Sequence, residues 1–124
     1  MAINNVAIND TGATDGSGVT NYRHELLLVP AGKSYAVTTI MVCNKYDPSA
    51  PSPEAETSVF DMYIVPDGET ISPDITVVIR KLTIPAGETF TFDSEKIILG
   101  EFDRIVIDGA APGNLVATVS YLEV

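Results

Sequence analysis

From residue 25 onward, apolar and polar positions follow the two-residue period of β-strands, and no stretch follows the 3.6-residue period of an amphipathic helix. ELLLVP at residues 25–30 is a short apolar run closed by proline. Residues 34–45 place Tyr35, Val37, Thr39, Met41 and Cys43 on one face of a strand. Ala36, Thr38, Ile40, Val42 and Asn44 occupy the other, so this strand is apolar on both faces near its centre. That pattern predicts a central strand partly covered on each side. In residues 58–65 the alternation sends Phe60, Met62 and Ile64 inward and Asp61 and Tyr63 outward. Residues 75–84 are β-branched but run through Arg80 and Lys81, which predicts a strand with a wet face. Phe90 and Phe92 share one face of a strand over 89–99. Residues 104–108 and 115–124 complete the set, joined by the turn sequence DGAAPGN.

About seven or eight strands at intervals of roughly 8–12 residues predict an all-β, single-domain β-sandwich of jelly-roll type, with a closed barrel as the alternative. Residues 1–21 are polar and rich in small side chains, with DTGATDGSG at 10–18, and read as a flexible N-terminal arm. Ile3, Val6 and Ile8 alternate within it, as in an edge strand that docks on a neighbour. The expected organisation is therefore an arm over 1–21 and a sandwich over 22–124. Residues 47–57, DPSAPSPEAET, carry three prolines and no periodicity, and read as an exposed loop.

Three segments repeat one turn: VPAGKS at 29–34, VPDGET at 65–70 and IPAGET at 84–89. Proline's fixed φ suits position i+1 of a type I turn, and the glycine takes a positive φ as the next strand begins. The first copy superficially resembles a phosphate-binding loop. That motif needs a glycine where this chain has Leu27, and a helix where residues 35–43 are β-patterned. Nucleotide binding is excluded on both counts.

Charge narrows the classes of partner. Seven Lys and Arg against seventeen Asp and Glu give a formal charge of −10. Such a chain is repelled by phosphate backbones and anionic lipid, so neither nucleic acid nor a membrane surface is an expected partner. The single cysteine, Cys43, permits no intrachain disulfide. The start, MAINNVAIND, lacks the basic and apolar regions of a secretory signal, and no apolar run approaches the ~18 residues of a membrane helix. Folding in a reducing cytoplasm is expected.

Candidate chemistry is thin. The only histidine, His24, and the only cysteine, Cys43, are the sole candidates for a nucleophile–base pair. Cys43 sits in an apolar strand, where a thiol acts as a small hydrophobe. No Gly-x-Ser-x-Gly elbow and no zinc-type Cys/His cluster occurs. Asp and Asn in the Gly-rich loops 10–15 and 108–114 offer calcium-compatible oxygens without the spacing of a dedicated calcium loop. A carbohydrate-binding module is the alternative to a structural role, with residues 47–57 and Tyr63 as contacts, although the chain has no Trp. No catalytic residue, cofactor or metal ligand is assigned, and the chain is not expected to be an enzyme.

The order VPAGKSYAVTTIMVCN, a Pro/Ser loop, VFDMYIVPDG, VVIRKLTIPAGETFTF and a closing LVATVSYLEV resembles small virion proteins of tailed phages, many of them phages of cyanobacteria and other marine bacteria. The resemblance covers residues 25–124. It implies a structural protein of the virion, most specifically a capsid decoration (cement) protein on the outer shell, with a tail-fibre or baseplate accessory as the alternative. It also implies a major capsid or tail protein as partner and a homo-oligomer, a trimer at three-fold positions of the shell being one form. The arm and the Pro-rich loop are the expected contact elements.

Overall fold

A computed structural model describes residues 2–8, 22–93, 97–110 and 112–124. Nine strands form two antiparallel sheets: β1 (Ala2–Ile8), β2 (Arg23–Leu28), β3 (Tyr35–Asn44), β4 (Ser58–Val65), β5 (Val77–Ile84), β6 (Thr89–Phe92), β7 (Ile97–Leu99), β8 (Arg104–Asp108) and β9 (Leu115–Glu123). One sheet runs β1-β9-β3-β6, with β7 also paired to β3, and the other runs β2-β8-β4-β5. The pairings are nested: β4 with β5, β3 with β6, β2 with β8 and β1 with β9. Nesting of this kind is a long hairpin wound over itself into two sheets, which is a jelly roll with β7 added. The all-β sandwich expected from the alternation is the fold observed.

The core lies between the sheets. Ile8, Val37, Ile40, Val42, Ala117 and Val119 contribute from the first sheet. Leu26, Leu27, Phe60, Met62, Ile105 and Ile107 contribute from the second. Phe60 is the largest side chain fully buried, and its ring lies 6.2 Å from that of Phe90 across the sandwich.

Several local expectations are corrected. Residues 2–8 are the edge strand β1 of the protein's own sheet, paired along their length with β9, so this part of the expected arm is built into the sandwich. Residues 9–21 lie outside the described residues. Strict alternation in β3 fails at a bulge between Val37 and Thr39. Tyr35 and Val37 point inward before it, and Ile40, Val42 and Asn44 after it. The extra residue, Thr38, bonds across to the Ser120 hydroxyl and carbonyl. The strand expected over 89–99 is two strands, β6 and β7. Asp61 and Tyr63 leave the core face as expected but do not meet solvent, being 4% and 2% exposed. Ile71 and Val77 pack over Tyr63, and the 66–76 connection closes that side of the sheet.

The three repeated turns share one geometry. In each, the fourth residue's N–H bonds to the proline carbonyl: Lys33 to Pro30, Glu69 to Pro66, Glu88 to Pro85. Proline therefore stands at position i, not i+1, and glycine at i+2 with φ of 75° (Gly32), 85° (Gly68) and 78° (Gly87). A positive φ confined to i+2 is the type II turn, the reason glycine is needed there.

Candidate interaction surfaces

The polar groups that sequence reasoning passed over are the best organised. Asn44 is fully buried. Its amide nitrogen donates to the Glu56 and Ile84 carbonyls at 2.8 and 3.0 Å. Its Oδ1 accepts from the Tyr46 N–H at 3.1 Å. Its backbone N–H donates to Glu88 and its carbonyl accepts from Gly87. One side chain thus ties the end of β3 to the Pro-rich loop and to the turn at 84–89. Within that loop the Tyr46 hydroxyl donates to the Pro51 carbonyl, and Pro53–Glu56 forms a 3-10 turn. The Ser49 hydroxyl and N–H both bond to the Asp47 carboxyl and hold it below the usual carboxylate range. Proline content marked this segment as an exposed loop; the bonds make it a fixed one.

At the opposite end Asp103 and Glu101 do similar work. The Asp103 carboxylate accepts from the N–H groups of Asp67 and Gly100 at 2.9 and 2.8 Å. Glu101 accepts from the Gly32 N–H at 2.7 Å. Two of the acidic residues are therefore used to hold two of the repeated turns.

The outer face of the four-stranded sheet is charged and self-paired. Arg23 meets Asp108 at 2.9 Å, and Arg104 meets Glu25 at 3.8 Å. Asp61 accepts from the Lys81 N–H at 2.6 Å and faces Arg80 and the Lys81 ammonium at 3.3 and 3.5 Å. Lys81 adopts φ 53°, an unusual conformation for a residue with a side chain, and the Asp61 carboxylate fixes it. The Arg23 guanidinium lies 5.9 Å from the centroid of the Tyr63 ring. Burial, followed by the nearby Asp61 and Asp108 charges, raises the Tyr63 phenol above its ordinary value of 10.0. Because Tyr63 is buried, it is not available as a sugar-stacking contact.

The outer face of the five-stranded sheet differs in kind. The residues pointing away from the core form cross-strand rows: Ala7, Val116, Cys43 and Thr89; then Asn5, Thr118, Met41 and Thr91; then Ile3, Ser120 and Thr39; then Leu122, Ala36 and Ile98. None is charged. Across all five strands the only charged side chain is Glu123, at the tip of β9. Met41 and Ile98, in the middle and at one end of the face, are 41% and 64% exposed. Among the described residues, none supplies the cover that the apolar outer positions of β3 predicted.

Other candidates from the sequence do not come together. Cys43 points out of the five-stranded sheet, whereas His24 lies opposite Ile107 in the other sheet, so they form no pair. Asp108 is bonded to Arg23, and the Asn114 amide donates to Glu56, so these loop groups face partners within the chain. The calcium-compatible residues 10–15 lie outside the described residues. Among the described residues no three His, Cys, Asp or Glu side chains cluster as metal ligands. A cleft of about 160 Å³ opens where edge strands β5 and β6 diverge, lined by Leu82, Ile84, Pro85, Glu88 and Phe90. It is smaller than the ~300–1,000 Å³ of a typical ligand site.

Comparison of the chain with models of known families, with characterised proteins and with solved structures gives no match.

Proposed function

We propose that the chain is a structural protein of a tailed-phage virion, most specifically a capsid decoration protein on the outer shell, acting through its surfaces and not as an enzyme. One observation supports the part of this reading that places function on surfaces. The four buried polar side chains among the described residues, Asn44, Ser58, Asp61 and Thr76, all bond to the protein's own groups. Among the described residues no buried side-chain nitrogen or oxygen lacks a partner. In a catalytic or ligand site such groups converge on a space where a substrate sits; here they converge on bulges and turns of the fold.

The specific class comes from the order of turns and strands that resembles phage virion proteins. Fold analogy is consistent with it, since jelly rolls serve as viral capsid domains among other uses, but analogy of fold weighs less than a site. The major capsid protein is the proposed partner, and residues 47–57 are the proposed contact. A loop already held by Asn44, Asp47 and Tyr46 loses little entropy on docking.

Mass spectrometry of purified particles, followed by a density map, tests the proposal. The expected result is the chain in stoichiometric amount on the head. Absence from particles refutes the reading, and density on the tail replaces decoration with a fibre or baseplate role.

A further inference from the structure

Among the described residues nothing covers the uncharged face of the five-stranded sheet, and the chemistry of that face bears on what would. We propose that a second copy of the protein packs on it face to face, related by a two-fold axis, with Met41 and Thr118 near the centre of the contact. The inference stands independently of any role in a virion.

Three observations lead to a copy in preference to another protein. The first is charge. Each chain carries −10 overall, so two copies repel one another from most directions of approach. On this face alone no carboxylate meets its own image. A basic partner would be met by acidic residues, and the face has none.

The second is hydrogen-bonding character. The polar groups of the face are mainly hydroxyls, including Thr39, Thr91, Thr118 and Ser120. A hydroxyl both donates and accepts, so a surface built from hydroxyls complements itself. A two-fold contact requires self-complementarity of that sort.

The third is size. The sheet is four strands wide, because β6 and β7 lie end to end along one edge of β3. Three inter-strand spacings of ~4.8 Å plus the edge side chains make the face about 18–20 Å wide, and seven residues of strand at ~3.4 Å make it about 24 Å long. The flat projection is on the order of 430–480 Å². Side-chain relief raises the accessible area toward the ~600 Å² per partner at the low end of specific interfaces. Small residues such as Ala7, Ala36 and Ser120 let two sheets approach to the ~10 Å of ordinary face-to-face packing.

The proposal has an unusual salt dependence. Contacts built on opposite charges weaken as salt rises. Here salt screens repulsion between two acidic bodies, so pairing tightens between 10 and 150 mM salt as the Debye length falls from ~30 to ~8 Å.

The experiment is sedimentation of the purified full chain over a range of concentrations, at low and physiological salt, with thiol labelling of Cys43 alongside. Four proteins are compared: the natural chain, Met41→Glu, Met41→Lys and a control, Thr83→Glu, which places a new charge on the exposed surface of the other sheet. Circular dichroism establishes that each is folded. The expected result is a two-copy species for the natural chain and Thr83→Glu, strengthened by salt, and single copies for both Met41 variants. Cys43 then labels at least tenfold more slowly in the natural chain than in folded Met41→Glu. A natural chain that stays single to ~100 μM, where any pair with a Kd below about that value is populated, overturns the proposal. So does a pair that survives both Met41 substitutions, or an assembly of three copies.

Discussion

Replacing Asn44 by Asp isolates the bonds that this residue makes. The two side chains match in shape, so no cavity is created, and only the two amide donors are lost. In the natural protein these reach the Glu56 and Ile84 carbonyls at 2.8 and 3.0 Å from a fully buried position. Each carbonyl left without a donor costs about 1–3 kcal/mol, and a carboxylate oxygen then faces both of them. The substitution is expected to destabilise the fold by about 4 kcal/mol at pH 7, a large share of the ~5–15 kcal/mol typical of a domain.

The cost depends on pH in a defined direction. Burial against two carbonyls favours the protonated carboxyl, so the folded pKa of the new Asp lies above its unfolded value. Stability from a group raised in that way is present below the unfolded value, ~3.9, and is lost as pH rises through the folded one. A protonated carboxyl also regains one donor. The destabilisation therefore shrinks to about 2 kcal/mol near pH 4. Urea denaturation of both proteins at matched pH measures it, the natural chain's own pH dependence cancelling in the difference. A loss below 1 kcal/mol at pH 7, or a larger loss at pH 4, refutes the role given to Asn44.

Three further substitutions probe other parts of the fold. Asp61→Ala strips the Lys81 N–H of its acceptor and Arg80 of its partner, and is expected to cost about 2–4 kcal/mol in urea denaturation, against less than half that for Asp61→Asn, which retains an acceptor. Gly32→Ala is expected to cost about 1 kcal/mol, for the positive φ alone. Gly87→Ala costs about 1–3 kcal/mol more, because its added Cβ meets the Pro48 ring at 2.8 Å where nothing lies within 4 Å of Gly32; adding Pro48→Ala removes the difference. Tyr63, held above 10.0 chiefly by burial, supports the fold below that value and loses its contribution as pH rises through the raised one. Tyr63→Phe is then expected to make unfolding less steep in pH above 10, and absorbance titration to show one late-ionising tyrosine that the variant lacks.

Much of the sandwich was legible in the alternation, because half-buried strands leave a period-two record in any window. What escaped was set by partners distant in the chain. The bulge in β3 depends on Ser120, 82 residues from Thr38, and no pattern within residues 34–45 signals where the alternation slips. Asn44 read only as the last residue on one face; its role appears when segments around residues 56, 84 and 88 arrive beside it. Pro-x-Gly fits two turn registers, and the chain alone did not choose between proline at i and at i+1. The polar composition of residues 1–21 outweighed the weak Ile3, Val6, Ile8 alternation, yet Ile8 is a core residue and Val6 packs against the core.

The same comparison explains why the surface was harder to read than the core. A charge of −10 is a sum over the chain, and as a sum it suggests an evenly acidic exterior. The acids are in fact placed in the turns and on the four-stranded sheet, where Glu101, Asp103, Asp61 and Asp108 bond to backbone N–H groups or to arginine. That placement leaves the outer face of the five-stranded sheet uncharged, with Glu123 at the tip of β9. The strand at its centre had already signalled the consequence: β3 is apolar on both faces, and a strand with Met41 and Cys43 on its outer side is patterned for cover. Among the described residues cover is supplied on only the inner side, and it is on this pattern in β3 that the proposed pairing of two copies rests. If two copies do pair there, the hydrophobic record of this sequence holds contacts between chains as well as within one; if Met41 and Cys43 stay exposed at every concentration, it does not.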